Sequence, residues 1–350
     1  MENRFPLYGN VFFGAKIGIL RMEQGVEAKK ERGKLRHPVR YRLEYAAVRV
    51  VCAVAALLPY RAALGLAAGL AWIAFWAMGG RRRETYRRIR EVFGEKMPAR
   101  KVRGIAWRSL RNIAFNAAEM VYMNGGRKKR SLTGRIEGLD AALAKMRAWT
   151  EGNPKTGIIF ATPHMGNWEL AGLVAPMVGR PIFTLYAPQH NPYVTDFLSR
   201  MRMADDVELL PRGEASSLKR ILANLRAGKV LGILPDLRSK TAGVKVPFLG
   251  GEANLYPGMA LLARQTRTPV FLALMRRIGW SRHRLAIEGP FEADLALERD
   301  ADVQRLTEVV MGRAEAAIRE APEQWFWYNK RWLLEPLEAA APEGAGRSDE

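Results

Sequence analysis

Ile158-Ile159-Phe160-Ala161-Thr162-Pro163-His164-Met165-Gly166-Asn167-Trp168-Glu169 begins as a short apolar run, stops at a proline and continues into polar residues able to carry chemistry. Apolar residues bounded by turn formers fit a strand buried on both faces. Working outward, comparable runs recur at 181–185, 207–210, 230–234 and 269–274, separated by longer helical stretches such as 215–227 and 255–265. Alternating strands and helices predict an α/β domain with a largely parallel central sheet flanked by helices. In such domains the chemistry gathers at the carboxyl ends of the strands, which is where His164 falls. Residues 302–320 read as a closing helix.

His164 and Glu169 are five residues apart. Within one continuous helix that spacing is a rotation of about 140°, which would point the two side chains apart. They can meet only if His164 lies in the turn before the helix, and Pro163 and Gly166 make a turn there reasonable. The expectation is that the Glu169 carboxylate accepts from one ring nitrogen and fixes the tautomer, leaving the other nitrogen free to take a proton. With no Ser or Cys nucleophile nearby, such a pair suggests direct attack by a substrate hydroxyl.

The 350 residues carry 56 Lys and Arg against 35 Asp and Glu, a formal net charge of +21. An excess of this size points to a polyanionic partner: nucleic acid, an anionic membrane face, a phosphorylated substrate or an acidic carrier protein. Cys52 is the only cysteine, which excludes an intrachain disulfide and a thiolate metal cluster. Four histidines (His37, His164, His190 and His283) limit imidazole chemistry to few places.

Residues 1–40 mix apolar pieces with nine basic and four acidic residues and read as a basic arm rather than a secretory signal. Residues 41–80 form the apolar part of the chain. Ala46 to Leu58 contains one charge, Arg49; after Pro59-Tyr60-Arg61, Ala62 to Gly79 contains none. The second piece would span roughly 27 Å as a helix, close to a bilayer core of ~30 Å. Trp72 and Trp76, then Arg81-Arg82-Arg83, suit an interfacial anchor. A spanning helix and a proline-broken hairpin dipping into one leaflet both fit; a buried helix pair of a soluble core is the bland alternative. Between Arg81 and Arg111 twelve basic residues stand against three acidic ones, with Ile89, Val92 and Phe93 at helical spacing. Amphipathic helices with basic outer faces are the expectation, suited to anionic headgroups. Residues 81–335 are then the catalytic domain, and 336–350, rich in Ala, Glu and Gly, a disordered tail.

The run His164-Met165-Gly166-Asn167-Trp168-Glu169 resembles the H-x4-D/E motif of the lysophospholipid acyltransferase superfamily. Later segments resemble, in order, those of its branch of lipid A biosynthesis late acyltransferases, the lauroyl and myristoyl transferases. These are Tyr186-Ala187-Pro188 with Asn191-Pro192, Arg212, Leu234-Pro235-Asp236, Val244-Lys245-Val246-Pro247-Phe248-Leu249-Gly250, and Pro322-Glu323-Gln324-Trp325-Phe326-Trp327. The resemblance spans roughly 40–332. It implies a fold like that of the glycerol-3-phosphate acyltransferases and an enzyme at the cytoplasmic face of a bacterial inner membrane. It also implies a thioester donor, acyl-carrier protein or acyl-coenzyme A, a lipid acceptor with a free hydroxyl, and no cofactor or metal. His164 would be the general base and Glu169 its partner, with Asn167, Arg212 and Asp236 binding substrate. Ala187 stands where that family has arginine, and Leu237 where it has Gln or His after the aspartate, so an acceptor other than lipid A, another glycolipid or a phospholipid, stays open.

Three other readings compete. A nucleic-acid-binding protein fits the charge, but no zinc-finger spacing, RNP-like aromatic motif or basic heptad region occurs. A metal-dependent hydrolase using His164, His190 and Asp236 lacks any compact ligand pair. A non-catalytic membrane scaffold is the third.

Overall fold

A computed structural model describes residues 38–123, 131–187, 190–203, 207–212 and 215–334. Most of the basic arm and all of the tail therefore lie outside the described residues. The sheet has seven strands: β1 (Ile136–Glu137), β2 (Ile158–Ala161), β3 (Ile182–Tyr186), β4 (Val207–Pro211), β5 (Val230–Ile233), β8 (Val270–Arg277) and β9 (His283–Phe291). They are arranged β1-β9-β8-β2-β5-β3-β4. Strand β2 is central and parallel to both neighbours, and all four of its residues are buried. Only β9 runs antiparallel to its neighbour β8. The apolar runs read from sequence form β2, β3, β4, β5 and β8, because a strand covered on both faces needs no alternation.

Two strands lie apart. The Val244–Phe248 and Gly251–Leu255 segments (β6 and β7) form a separate antiparallel hairpin rather than joining the sheet. Its inward residues Val246, Phe248 and Leu255 pack into the main core with Val310, Met311 and Ala314 of the closing helix, Arg299–Glu320. Because the hairpin runs to Leu255, the helix expected from there begins later, at Gly258.

The apolar N-terminal part is two helices broken at Leu58-Pro59: α1 (Pro38–Leu57) and α2 (Tyr60–Ala77). They are followed by α3 (Gly79–Phe93) and the long α4 (Ala99–Met123). Ala63, Leu64, Ala67, Ala71 and Phe75 recur at three- and four-residue spacing, so one stripe of α2 is buried. It lies along α4, with Leu64 and Ala67 clustered with Phe115 and Ala118. The opposite stripe, Leu70, Trp72, Ile73 and Trp76, is exposed. Among the described residues, α2 is the one helix long and apolar enough to cross a membrane by length and composition. In α3 the basic outer face is interrupted by Arg88. This side chain turns inward and donates to the Trp327 and Asn329 carbonyl oxygens at 3.1 and 2.6 Å.

Candidate active site

The register of the sheet builds the site. Ala161 of β2 lies opposite Ile233 of β5 in a parallel pair. Three residues beyond Ala161 is His164 and three beyond Ile233 is Asp236, so both emerge together at the carboxyl edge. There His164 Nδ1 lies 2.8 Å from Asp236 Oδ1, and the His164 backbone N–H donates to Asp236 Oδ2 at 2.8 Å. Trp325 Nε1 donates to the same oxygen, also at 2.8 Å. Asp236 is fully buried. Burial pushes its carboxyl pKa upward, but electrostatic attraction to the His164 ring and three hydrogen bonds outweigh that and hold it below the ordinary value. An ionised Asp236 keeps the proton on Nδ1 and leaves Nε2 with the lone pair. Trp168 and Phe326 flank the half-buried imidazole, with ring centroids 5.3 and 6.4 Å away.

The turn that presents His164 is held from three sides. Gly166 has φ +58, and a Cβ there would collide with the Met275 carbonyl oxygen, so glycine is required. Its N–H donates to the Gln324 carbonyl oxygen at 2.9 Å and its own carbonyl accepts from Asn116 Nδ2 at 2.6 Å. The Asn167 N–H donates to the Met275 oxygen, and the Phe326 N–H to the His164 oxygen. Asn167 then caps the short helix Trp168–Ala171, its Oδ1 accepting from the Leu170 N–H at 3.1 Å.

These contacts correct three expectations. The carboxylate that bonds the imidazole is Asp236, 72 residues away, and not Glu169. The Asn167 cap places Glu169 inside the new helix, where its carboxylate binds Arg202 of the helix Pro192–Met203, at 2.5 and 3.3 Å. Asn167, expected at the substrate, is fully buried and donates to Glu119 Oε2 at 2.5 Å. Its task is to hold the turn. Asp236, expected to bind substrate, is instead sealed against His164 and Trp325. Arg212 follows β4 at the same carboxyl edge, with β3 between β4 and β5. It is exposed, and its guanidinium lies 4.5 Å from the centroid of the Tyr256 ring.

Beneath the turn is a buried polar node that the sequence reading did not single out. Glu119 accepts from Arg277 Nη1 and Nη2 at 2.8 and 2.6 Å, from Asn167, and from the Tyr60 hydroxyl of α2. His283 Nε2 lies 3.4 Å from it. Burial raises the Glu119 pKa, but the Arg277 charge, the nearby His283 ring and the hydrogen bonds from Arg277 more than reverse it, leaving it well below the usual range. One signal was available: Glu119 is the sole charge between Ile113 and Met123.

The profile of the family described as bacterial lipid A biosynthesis acyltransferase matches residues 28–334. Among curated proteins, a phosphatidylinositol mannoside acyltransferase of Mycobacterium tuberculosis (strain CDC 1551 / Oshkosh) is 27% identical over 67% of this chain and 69% of its own length. A lipid A biosynthesis acyltransferase of Haemophilus influenzae is 25% identical over 49% of the chain and 52% of its own length. The lipid A biosynthesis palmitoleoyltransferase of Escherichia coli K12 is 24% identical over 52% and 57%. The chain thus spans little more than half the length of these lipid A relatives.

Proposed function

This chain belongs to the bacterial lipid A biosynthesis acyltransferase family and is an acyltransferase; we propose that it moves a fatty acyl chain from a thioester to a sugar hydroxyl of a glycolipid, with His164 as general base. The observation that carries this reading is the imidazole oriented by buried Asp236 at the carboxyl edge of a parallel sheet. Nε2 takes the proton of the acceptor hydroxyl as its oxygen attacks the thioester carbonyl. The tetrahedral intermediate collapses with cleavage of the C–S bond, and the imidazolium returns its proton to the departing thiolate. No acyl-enzyme forms. Asp236 favours the imidazolium at the moment it is needed. The Glu169–Arg202 pair is partly buried, with Glu169 five residues along from His164, and ties the helix that carries Arg202 to the one that follows the catalytic turn. Arg212 is proposed to contact acceptor or donor from the neighbouring strand.

A sugar-bearing lipid acceptor is supported by the relatives' names, lipid A and phosphatidylinositol mannoside. The mannoside acyltransferase aligns with more of the chain than either lipid A enzyme. Together with Ala187 and Leu237, this favours a glycolipid other than lipid A. The donor is proposed to be an acyl-carrier protein, whose acidic surface would complement the basic chain. The exposed stripe of α2 would lie in one leaflet of the bacterial inner membrane, on its cytoplasmic side, because the other stripe is committed to α4.

The test is incubation of purified protein with acyl-carrier-protein or coenzyme A thioesters and candidate acceptors, with products read by mass spectrometry. Acylated glycolipid formed by the wild type and absent for His164→Ala is the expected outcome. Undiminished product from His164→Ala would exclude the base.

A further inference from the structure

Strand β8 runs parallel to β2, so its carboxyl end leaves the sheet at the same edge as His164. The connection from β8 to β9, at 278–282, therefore projects from the catalytic edge. It is short and carries two exposed apolar side chains, Ile278 and Trp280, the latter 48% exposed. Aromatic and cationic side chains continue from it across α4. Trp280 packs on Phe115 with ring centroids 5.3 Å apart, and the Arg111 guanidinium lies over both rings, at 5.2 and 5.8 Å. The carboxylates closest to Arg111 are already paired, Glu323 with Arg108 at 3.9 Å and Glu119 with Arg277 at 2.6 Å. One helical turn earlier on α4, Trp107 meets Trp72 of α2 at 5.2 Å, and Trp72 meets Trp76 at 5.5 Å. Arg82 sits over Trp76 at 4.6 Å.

Resting on the acyltransferase reading above, we propose that the β8–β9 turn is a second membrane contact, and that with the exposed end of α2 it forms a belt seated in the headgroup region of an anionic bilayer. Half-exposed Trp72, Trp76 and Trp280 beside the Arg82 and Arg111 guanidinium groups are the composition of a membrane–water interface. The charge of the belt selects anionic lipid. Two separated contacts fix the tilt of the domain, which one helix cannot do. They also put the edge bearing His164 toward the lipid surface, where an acceptor hydroxyl would be presented. The turn is held to the site: Arg277, which clamps Glu119, also donates to the Trp280 carbonyl oxygen at 3.1 Å.

The uniqueness of Cys52 makes a direct test simple. In full-length Cys52→Ser protein, Gly279→Cys places a label where a Cβ meets nothing within 4 Å. An environment-sensitive dye at 279 is followed on adding phosphatidylcholine vesicles with or without one-third phosphatidylglycerol. Expected are a blue shift and shielding from iodide, larger with the anionic vesicles, and about fivefold weaker vesicle partitioning for Arg111→Gln. Co-flotation with the dye as quenchable as in buffer would overturn the second contact, with α2 alone binding. No flotation at all would overturn the lipid surface, and shielding that follows protein concentration without lipid would assign the belt to a second copy of the chain. Insertion of the dye by protein that transfers no acyl group to any acceptor would sink the catalytic reading and leave the contact standing.

Discussion

The turn at 164–167 and the helix pair at 38–77 are both built against α4 and use different faces of it, meeting only where the Tyr60 hydroxyl of α2 reaches Glu119. Ser109, Asn112, Asn116 and Glu119, spaced three and four residues apart, give α4 a polar stripe. Ser109 and Asn112 donate to the carbonyl oxygens of Trp325 and Glu323 in the C-terminal segment, Asn116 and Glu119 hold Gly166 and Asn167. Trp107, Phe115 and Ala118 make an apolar stripe that receives α2. On the first side, directional hydrogen bonds fix one conformation, and an error leaves a buried group unpaired. On the second, apart from the Tyr60 hydroxyl at the start of α2, contact is by shape and area, and the opposite stripe of the helix is left uncovered. The difference separates a region built for a single geometry from one built to adhere.

The largest expected effect is on the first side. His164→Ala should cut acyl transfer by about 10²–10⁴-fold with the circular dichroism unchanged. Asp236→Asn should approach the same loss, because the amide no longer enforces the Nδ1 proton (a change of this kind costs about 10⁴ in the serine-protease template). Glu169→Gln should lose less. Stability should divide in the same way. Glu119→Ala strips a buried Arg277 of its partner and should cost about 3–5 kcal/mol by chemical denaturation in detergent. Ile73→Asn, on the exposed stripe of α2, should leave that stability nearly unchanged while weakening retention on vesicles. A large stability loss for Ile73→Asn would erase the contrast.

Acid should act on the polar side as well. Asp236 and Glu119 are both held below their ordinary pKa values in the fold. Their contribution to stability is complete above the unfolded carboxyl values, about 3.9 for Asp and 4.3 for Glu. It is lost as the pH falls below them toward the folded values. Stability measured from pH 6 to pH 3 should therefore drop below about pH 4, and drop less steeply in Glu119→Gln. The smallest effect is expected at the exposed Lys245–Glu252 pair of the β6–β7 hairpin: Glu252→Ala should shift stability by less than about 1 kcal/mol.

Much of this was legible in the residues. The buried strands announced themselves as short apolar runs, and His164 as the residue following one of them. The partner of His164 was misread because Glu169 is near in sequence, whereas Asp236 reaches it through strand pairing that a linear reading does not contain. Asn167 reads as a binding residue because it lies in the motif; only the fold reveals that the turn buries it. The contacts of Arg277 and Trp325 are not legible in the sequence for the same reason, since their partners Glu119 and Asp236 are 158 and 89 residues away. In α2 the composition declared an apolar helix, but not which stripe faces α4, because nearly every position is apolar.

The most direct measurement is the proton resonance of His164 Nδ1 in ¹⁵N-histidine-labelled protein, assigned by its absence in His164→Gln. Expected is a downfield signal that persists in Glu169→Gln and disappears in Asp236→Asn. Persistence in Asp236→Asn with loss in Glu169→Gln would contradict the assignment of Asp236 as the carboxylate that holds the base.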